Sequence, residues 1–147
     1  MNYAREFLTA DNEIQELKSF IKRNSDNIEY GASHRLSFIV NDLKGFKNRC
    51  AVELFFKSFS KPLILDDEIE ESRREIESIK DIINTYLHNL EWNELYHLYN
   101  LMTQMYFFIE RMKSEMTPEK LKEYLKWEEV RKENDEIIKN IKRRSYE

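Results

Sequence analysis

Ile69-Glu70-Glu71-Ser72-Arg73-Arg74-Glu75-Ile76-Glu77-Ser78-Ile79-Lys80-Asp81-Ile82-Ile83-Asn84-Thr85-Tyr86-Leu87-His88-Asn89-Leu90 decides the fold class. Within it Ile69, Ser72, Ile76, Ile79, Ile83, Tyr86 and Leu90 recur at alternating steps of three and four. That spacing lines them along one stripe of an α-helix, whereas a strand would need alternation at every second residue. Asp66 or Asp67 is placed to cap the start, so a helix over 67–89 is predicted.

Working outward, the same period appears on both sides. Leu36, Ile39, Val40, Leu43, Phe46, Cys50, Leu54 and Phe55 predict a helix over 33–59 that passes through Gly45 and ends before Pro62. Ahead of it, Ile14, Leu17, Phe20 and Ile21 share a face with Asp11 as a cap, and Phe7 and Leu8 extend that helix back to give 3–23. Asn24 to Gly31 reads as a polar loop whose glycine can take the left-handed conformation. After a turn near Asn89 to Asn93, a helix over 92–116 carries Leu95, Leu98, Tyr99, Leu101, Met102, Met105, Tyr106, Phe108, Ile109 and Met112. An apolar arc that wide marks it as the central helix. Thr117-Pro118-Glu119 is a cap followed by proline at the first helical position, opening a helix over 118–144.

Composition agrees. Two glycines and two prolines in 147 residues leave little turn chemistry for sheets, and 41% hydrophobic against 35% charged residues suits neither a disordered chain nor a membrane span. The expected fold is all-α, a single domain built as an antiparallel bundle of four to five helices with a long charged C-terminal helix. No apolar run reaches the roughly 20 residues of a membrane span, and Met1 to Glu6 lacks a secretory signal, which places the protein in the cytoplasm. A lone Cys50 in an apolar stretch is a core residue and excludes a disulfide framework. No internal repeat stands out along the chain. Scarce Gly, Pro and Ala beside abundant Ile, Lys and Asn are what an AT-rich coding sequence favours, as in an AT-rich bacterium or its phage.

Motifs for catalysis are sparse. Glu94-x-x-His97 has the spacing used in ferritin-like di-iron bundles, but neither His34 nor His88 has the glutamate that a second such pair requires. Asp66, Asp67, Glu68, Glu70, Glu71, Glu75, Glu77 and Asp81 resemble the magnesium carboxylates of helical nucleotide pyrophosphohydrolases, yet no Glu-x-x-Asp follows Glu71. They read instead as acids that complement the helix dipole and solvate an outer face. No arginine is followed by histidine at the spacing of HEPN-type ribonucleases, and two glycines cannot build phosphate-cradling loops. The expectation is therefore a non-enzymatic protein with no catalytic residue, no cofactor and no metal. A carboxylate-metal enzyme is the third reading.

Surfaces carry the remaining signal. Residues 33–62 hold six cations against Asp42 and Glu53, whereas 66–81 hold eight acids against Arg73, Arg74 and Lys80, which suits two antiparallel neighbours. A nucleic-acid strip would use Lys44, Lys47, Arg49 and Lys57 with aromatic stacking beside it, in the manner of a ribonucleoprotein small subunit. The overall charge of −4 argues against that. In the last helix, Trp127, Val130, Asn134, Ile137 and Ile141 form a narrow seam that packs within the chain or pairs two chains as a homodimer. The leading expectation is a protein that binds a protein partner in a regulatory, inhibitory or adaptor role, with nucleic acid second and no membrane.

Overall fold

A computed structural model describes residues 1–55 and 64–145, with side chains described through 137 except at 135. It is all-α: α1 is Tyr3–Arg23, α2 Tyr30–Phe55, α3 Leu65–Thr85, α4 Trp92–Ser114 and α5 Pro118–Ser145, with no strand among the described residues. None of these helices is long and apolar enough to cross a membrane.

Local chemistry explains the boundaries and corrects several expectations. The Asn2 side chain accepts the Arg5 N–H at 3.0 Å and starts α1, leaving the predicted cap, Asp11, inside the helix. Asp66 and Asp67 likewise lie in the first turn of α3, where their charge complements the exposed N–H groups, and the capping residue is Ile64. Helix α2 starts three residues before the predicted Ser33, because no glycine takes a positive φ and Gly31 simply joins the first turn. The Thr117 hydroxyl accepts the Lys120 N–H at 3.3 Å, as the Thr-Pro-Glu signal requires. The predicted end of α2 near Phe59 lies outside the described residues.

Contacts group the chain into two compact units, 1–112 and 113–147. In the first unit α1, α2, α3 and α4 form an antiparallel ring. Asp11 meets Lys47 across α1 and α2, Arg49 meets Glu68 and Arg35 meets Asp81 across α2 and α3, and Glu6 meets Arg111 across α1 and α4. In each pair a residue early in one helix faces one late in the next, as short connections dictate. Leu17, Phe20, Leu36, Ile69, Ile79, Leu98 and Met112 are fully buried between them. Helix α4 is one wall of this ring and not its centre, because Tyr96, Tyr99, Tyr106 and Phe107 stand exposed on its outer side. The buried line of α3 passes through Ile82 where strict heptad spacing selected Ile83, since a straight helix of 3.6 residues per turn drifts against a repeat of 3.5.

The first unit is a helical hairpin used twice. Helices α1 and α3 both run 21 residues, and adding 62 to Tyr3, Arg23 and Tyr30 gives Leu65, Thr85 and Trp92, the matching bounds of the second hairpin. The connections repeat bond for bond: Asn24, Asn27 and Ile28 donate to Phe20 and Asn24 as Tyr86, Asn89 and Leu90 donate to Ile82 and Tyr86. The offset also pairs Glu6 with Glu68, Glu13 with Glu75, Leu36 with Leu98, Phe46 with Phe108 and Arg49 with Arg111. Phe46 and Phe108 meet edge to face, centroids 5.1 Å apart.

In the second unit, Lys113 at the end of α4 lies 3.1 Å from Glu128 and 5.8 Å from the Tyr124 ring. Leu125, Trp127, Val130 and Ile137 are exposed along α5.

The reciprocal pairs set a test. Arg111 donates through Nε at 2.6 Å and Nη2 at 3.0 Å to the two oxygens of buried Glu6, so Arg111→Met strands a carboxylate in the interior. Urea unfolding should register a loss of about 3–5 kcal/mol. The double variant Glu6→Gln/Arg111→Met should recover most of it.

Candidate functional site

Two places in the first unit gather chemistry that packing alone does not require. The first is interior. A cavity of about 20 Å³, room for one water or one ion, is lined by six pairs of residues that differ by 62: Glu6 and Glu68, Thr9 and Glu71, Ala10 and Ser72, Glu13 and Glu75, Leu43 and Met105, Phe46 and Phe108. It therefore lies where the two hairpins face each other as equivalents. Ala10 and Ser72, the small pair, leave the space.

Four of the acids are buried: Glu6, Glu13, Glu68 and Glu75. The helical period puts Glu6 and Glu13 two turns apart on one face of α1, and Glu68 and Glu75 likewise on α3. Two are matched by arginine from the other hairpin. Arg49 donates to Glu68 at 2.7 and 3.0 Å and to Glu71 at 3.1 Å, while Arg111 holds Glu6. The pairs Glu13 and Glu75 receive no hydrogen bond among the described residues.

Burial pushes the Glu13 carboxyl up to about 7; Arg111 opposes the shift, and Glu6 and Glu16 add to it. Burial likewise raises Glu71 to about 7, helped by the charges of Asp42 and Glu68 and a hydrogen bond with Asp42. Glu75 lies well above the usual carboxylate range, from burial first and then Glu71, Asp42 and Glu13. The expectation that this acidic run solvates an outer face fails at Glu68 and Glu75, which the turn of the helix carries inward. Cys50 is in the core as expected, its thiol pushed up to about 12 by burial.

The second place is on the surface. Ile83 at the end of α3 and Leu87 in the turn after it, with Trp92, Leu95, Tyr96 and Tyr99 at the start of α4, enclose an open groove of about 280 Å³. Trp92 is 79% exposed and Tyr96 61%. The equivalents in the first hairpin are Ile21, Ser25, Tyr30, Ser33, His34 and Ser37. The fold thus tolerates serine and histidine at the positions of Leu87, Tyr96 and Tyr99, so those three are not a demand of the bundle.

The residues singled out from the sequence are dispersed. In the basic strip, Lys47 bonds Asp11 at 2.7 Å and covers the Phe7 ring, and Arg49 is engaged by Glu68 and Glu71. Lys44 is exposed, its ammonium made less basic by the neighbouring Lys18, and Lys57 lies outside the described residues. Glu94 accepts two bonds from Arg23 and one from Asn24, and the Arg23 bond holds its carboxyl below the usual range. It ties the first interhelical turn to α4, while His97 stands exposed. On α5, Trp127, Val130, Asn134 and Ile137 are exposed, and the Ile141 side chain lies outside the described set. No protein-family model, curated protein or solved structure matches the chain.

The Glu13 shift gives a signed expectation. Its folded value of about 7 exceeds the ordinary 4.5, so the folded protein keeps a proton that the unfolded chain releases in between. The associated stability is complete below pH 4.5 and is lost as pH rises through about 7. Urea unfolding at pH 5 and pH 8 should show Glu13→Gln reducing that loss by about 2–3 kcal/mol.

Proposed function

We propose that the protein works as a non-enzymatic binder of a protein partner, in a regulatory, inhibitory or adaptor role in the cytoplasm, with the α3–α4 groove as its contact surface. The observation that carries this reading is the difference between the two hairpins. Where the first has Ser25, His34 and Ser37, the second has the exposed Leu87, Tyr96 and Tyr99, a change that costs the chain exposed apolar surface, while Leu95 in place of Ser33 joins the core. Aromatic side chains around a depression are the composition that dominates binding energy at protein interfaces. Rigid helices present them at low ordering cost. A phage or mobile-element inhibitor of a host system fits such a molecule in size. The nucleic-acid alternative draws less support, because acids engage two cations of its strip.

Affinity capture from native lysate tests the reading. A stoichiometric protein should be retained by the wild type, and Trp92→Ala/Tyr96→Ala should weaken its binding at least tenfold while circular dichroism stays unchanged. Nucleic acid recovered in place of protein, with binding that collapses as salt rises, would refute it.

A second reading rests on α5, where Trp127, Val130 and Ile137 are exposed at helical spacing. We propose that this seam pairs two chains. Light scattering should give twice the 18.0 kDa chain mass, and Trp127→Ala/Ile137→Ala should return it to one.

A further inference from the structure

We propose that the first unit binds one hard divalent cation through the carboxylates of Asp42, Glu71 and Glu75. Asp42 comes from α2, and Glu71 and Glu75 stand one turn apart on α3, so two packed helices fix all three. One oxygen from each lies within 4.8 Å of the others. Ligands of a calcium ion, at 2.3–2.6 Å from it, are separated by at most about 5 Å, so these oxygens are already within the span of one coordination sphere. A smaller ion such as Mn²⁺ or Mg²⁺ needs only a rotamer-scale contraction.

Crowded acids alone would not make a site, and two further observations do. Glu75 is 4% exposed, lines the interior cavity, and has no hydrogen-bond donor among the described residues. An interior carboxylate without a donor is the group for which a cation is the natural complement. Arg49 spends its fork on Glu68 and reaches only one member of the cluster, Glu71, through a single contact at 3.1 Å. The duplicated hairpin then supplies a control. At the equivalent positions the other half has Gln104, Thr9 and Glu13, one acid in place of three. The backbone thus accepts neutral residues at two of the three places, and the acids at 42 and 71 answer to something other than packing.

The donor set selects the ion. Three carboxylates with no imidazole or thiolate favour oxygen-preferring cations, namely Ca²⁺, Mg²⁺ and Mn²⁺, over zinc or copper. Cys50 does not join them, because burial holds it as a thiol.

The full chain, stripped with chelator, is titrated with Ca²⁺, Mg²⁺ and Mn²⁺ separately by calorimetry, and with Mn²⁺ by loss of the free-ion paramagnetic resonance signal. Saturation at one ion per chain is expected for at least one of the three, with a rise in thermal midpoint of several degrees. Glu75→Gln and Asp42→Asn should each weaken binding at least tenfold. Both replacements remove buried or crowded charge, so the variants should match or exceed the wild-type midpoint in chelator. The symmetric variant Thr9→Glu/Gln104→Asp, which rebuilds the triad around Glu13, should raise the stoichiometry to two. No binding of any of the three cations at millimolar concentration, or wild-type affinity in Glu75→Gln, would overturn the proposal. Neither outcome depends on whether the surface groove has a partner.

Discussion

A buried carboxylate is tolerable only when something positive or protic meets it, and in this bundle the positive group comes from the opposite hairpin. Glu6 of the first hairpin is held by Arg111 of the second, and Glu68 of the second by Arg49 of the first, each through two parallel hydrogen bonds. Neither hairpin can satisfy its own acid. The exchange therefore makes the two halves interdependent and sets their register, because a slip of one turn along either helix would separate both forks at once. The turns repeat the device: Asn24 reaches Glu94 on α4, and the Tyr86 hydroxyl accepts the Glu29 N–H at 2.8 Å at the start of α2.

Given that frame, the duplication separates what the fold requires from what it merely permits. Several positions that stay the same 62 residues apart, namely Glu6 and Glu68, Arg49 and Arg111, Phe46 and Phe108, and Leu36 and Leu98, are buried or bind buried groups. Positions that differ are free to carry function. Among the many that differ, two groups gather candidate chemistry, the oxygen cluster around Glu75 and the aromatic lip around Trp92, both in the second hairpin or its direct contacts. The cluster and the lip lie about two turns apart along α3, from Glu75 to Ile83, so one hairpin carries the specialised chemistry while its twin serves as support.

Much of the architecture was legible because helical burial writes itself at steps of three and four. The bounds of α1 followed from the apolar period, although its cap is Asn2 and not Asp11, the start of α5 followed from its Thr-Pro-Glu signal, and the basic second helix against the acidic third anticipated the Arg49–Glu68 and Arg35–Asp81 contacts. The repeat is hidden in the sequence because its identical residues are scattered, never more than two in a row. Between them Thr9 answers Glu71, Asp42 answers Gln104 and Ser33 answers Leu95, and hydrophobic pairs such as Leu17 and Ile79 agree only in character. Glu68 and Glu75 could have been found by noting that they fall seven apart on the stripe beside Ile69, Ser72 and Ile76. The pull of a helix dipole on acids offered a sufficient explanation and concealed the geometry.

Local sequence thus determined that the chain would be helical, roughly where its helices lie and which apolar stripes turn inward, since those depend on neighbours within a few residues. Only the tertiary structure decided which helices would be partners, because a carboxylate at 6 and a guanidinium at 111 acquire meaning when folding closes the distance between them. It also decided which acids would lose their water. Desolvation depends on what packs overhead, and no periodicity along one helix records what another will bring to cover it.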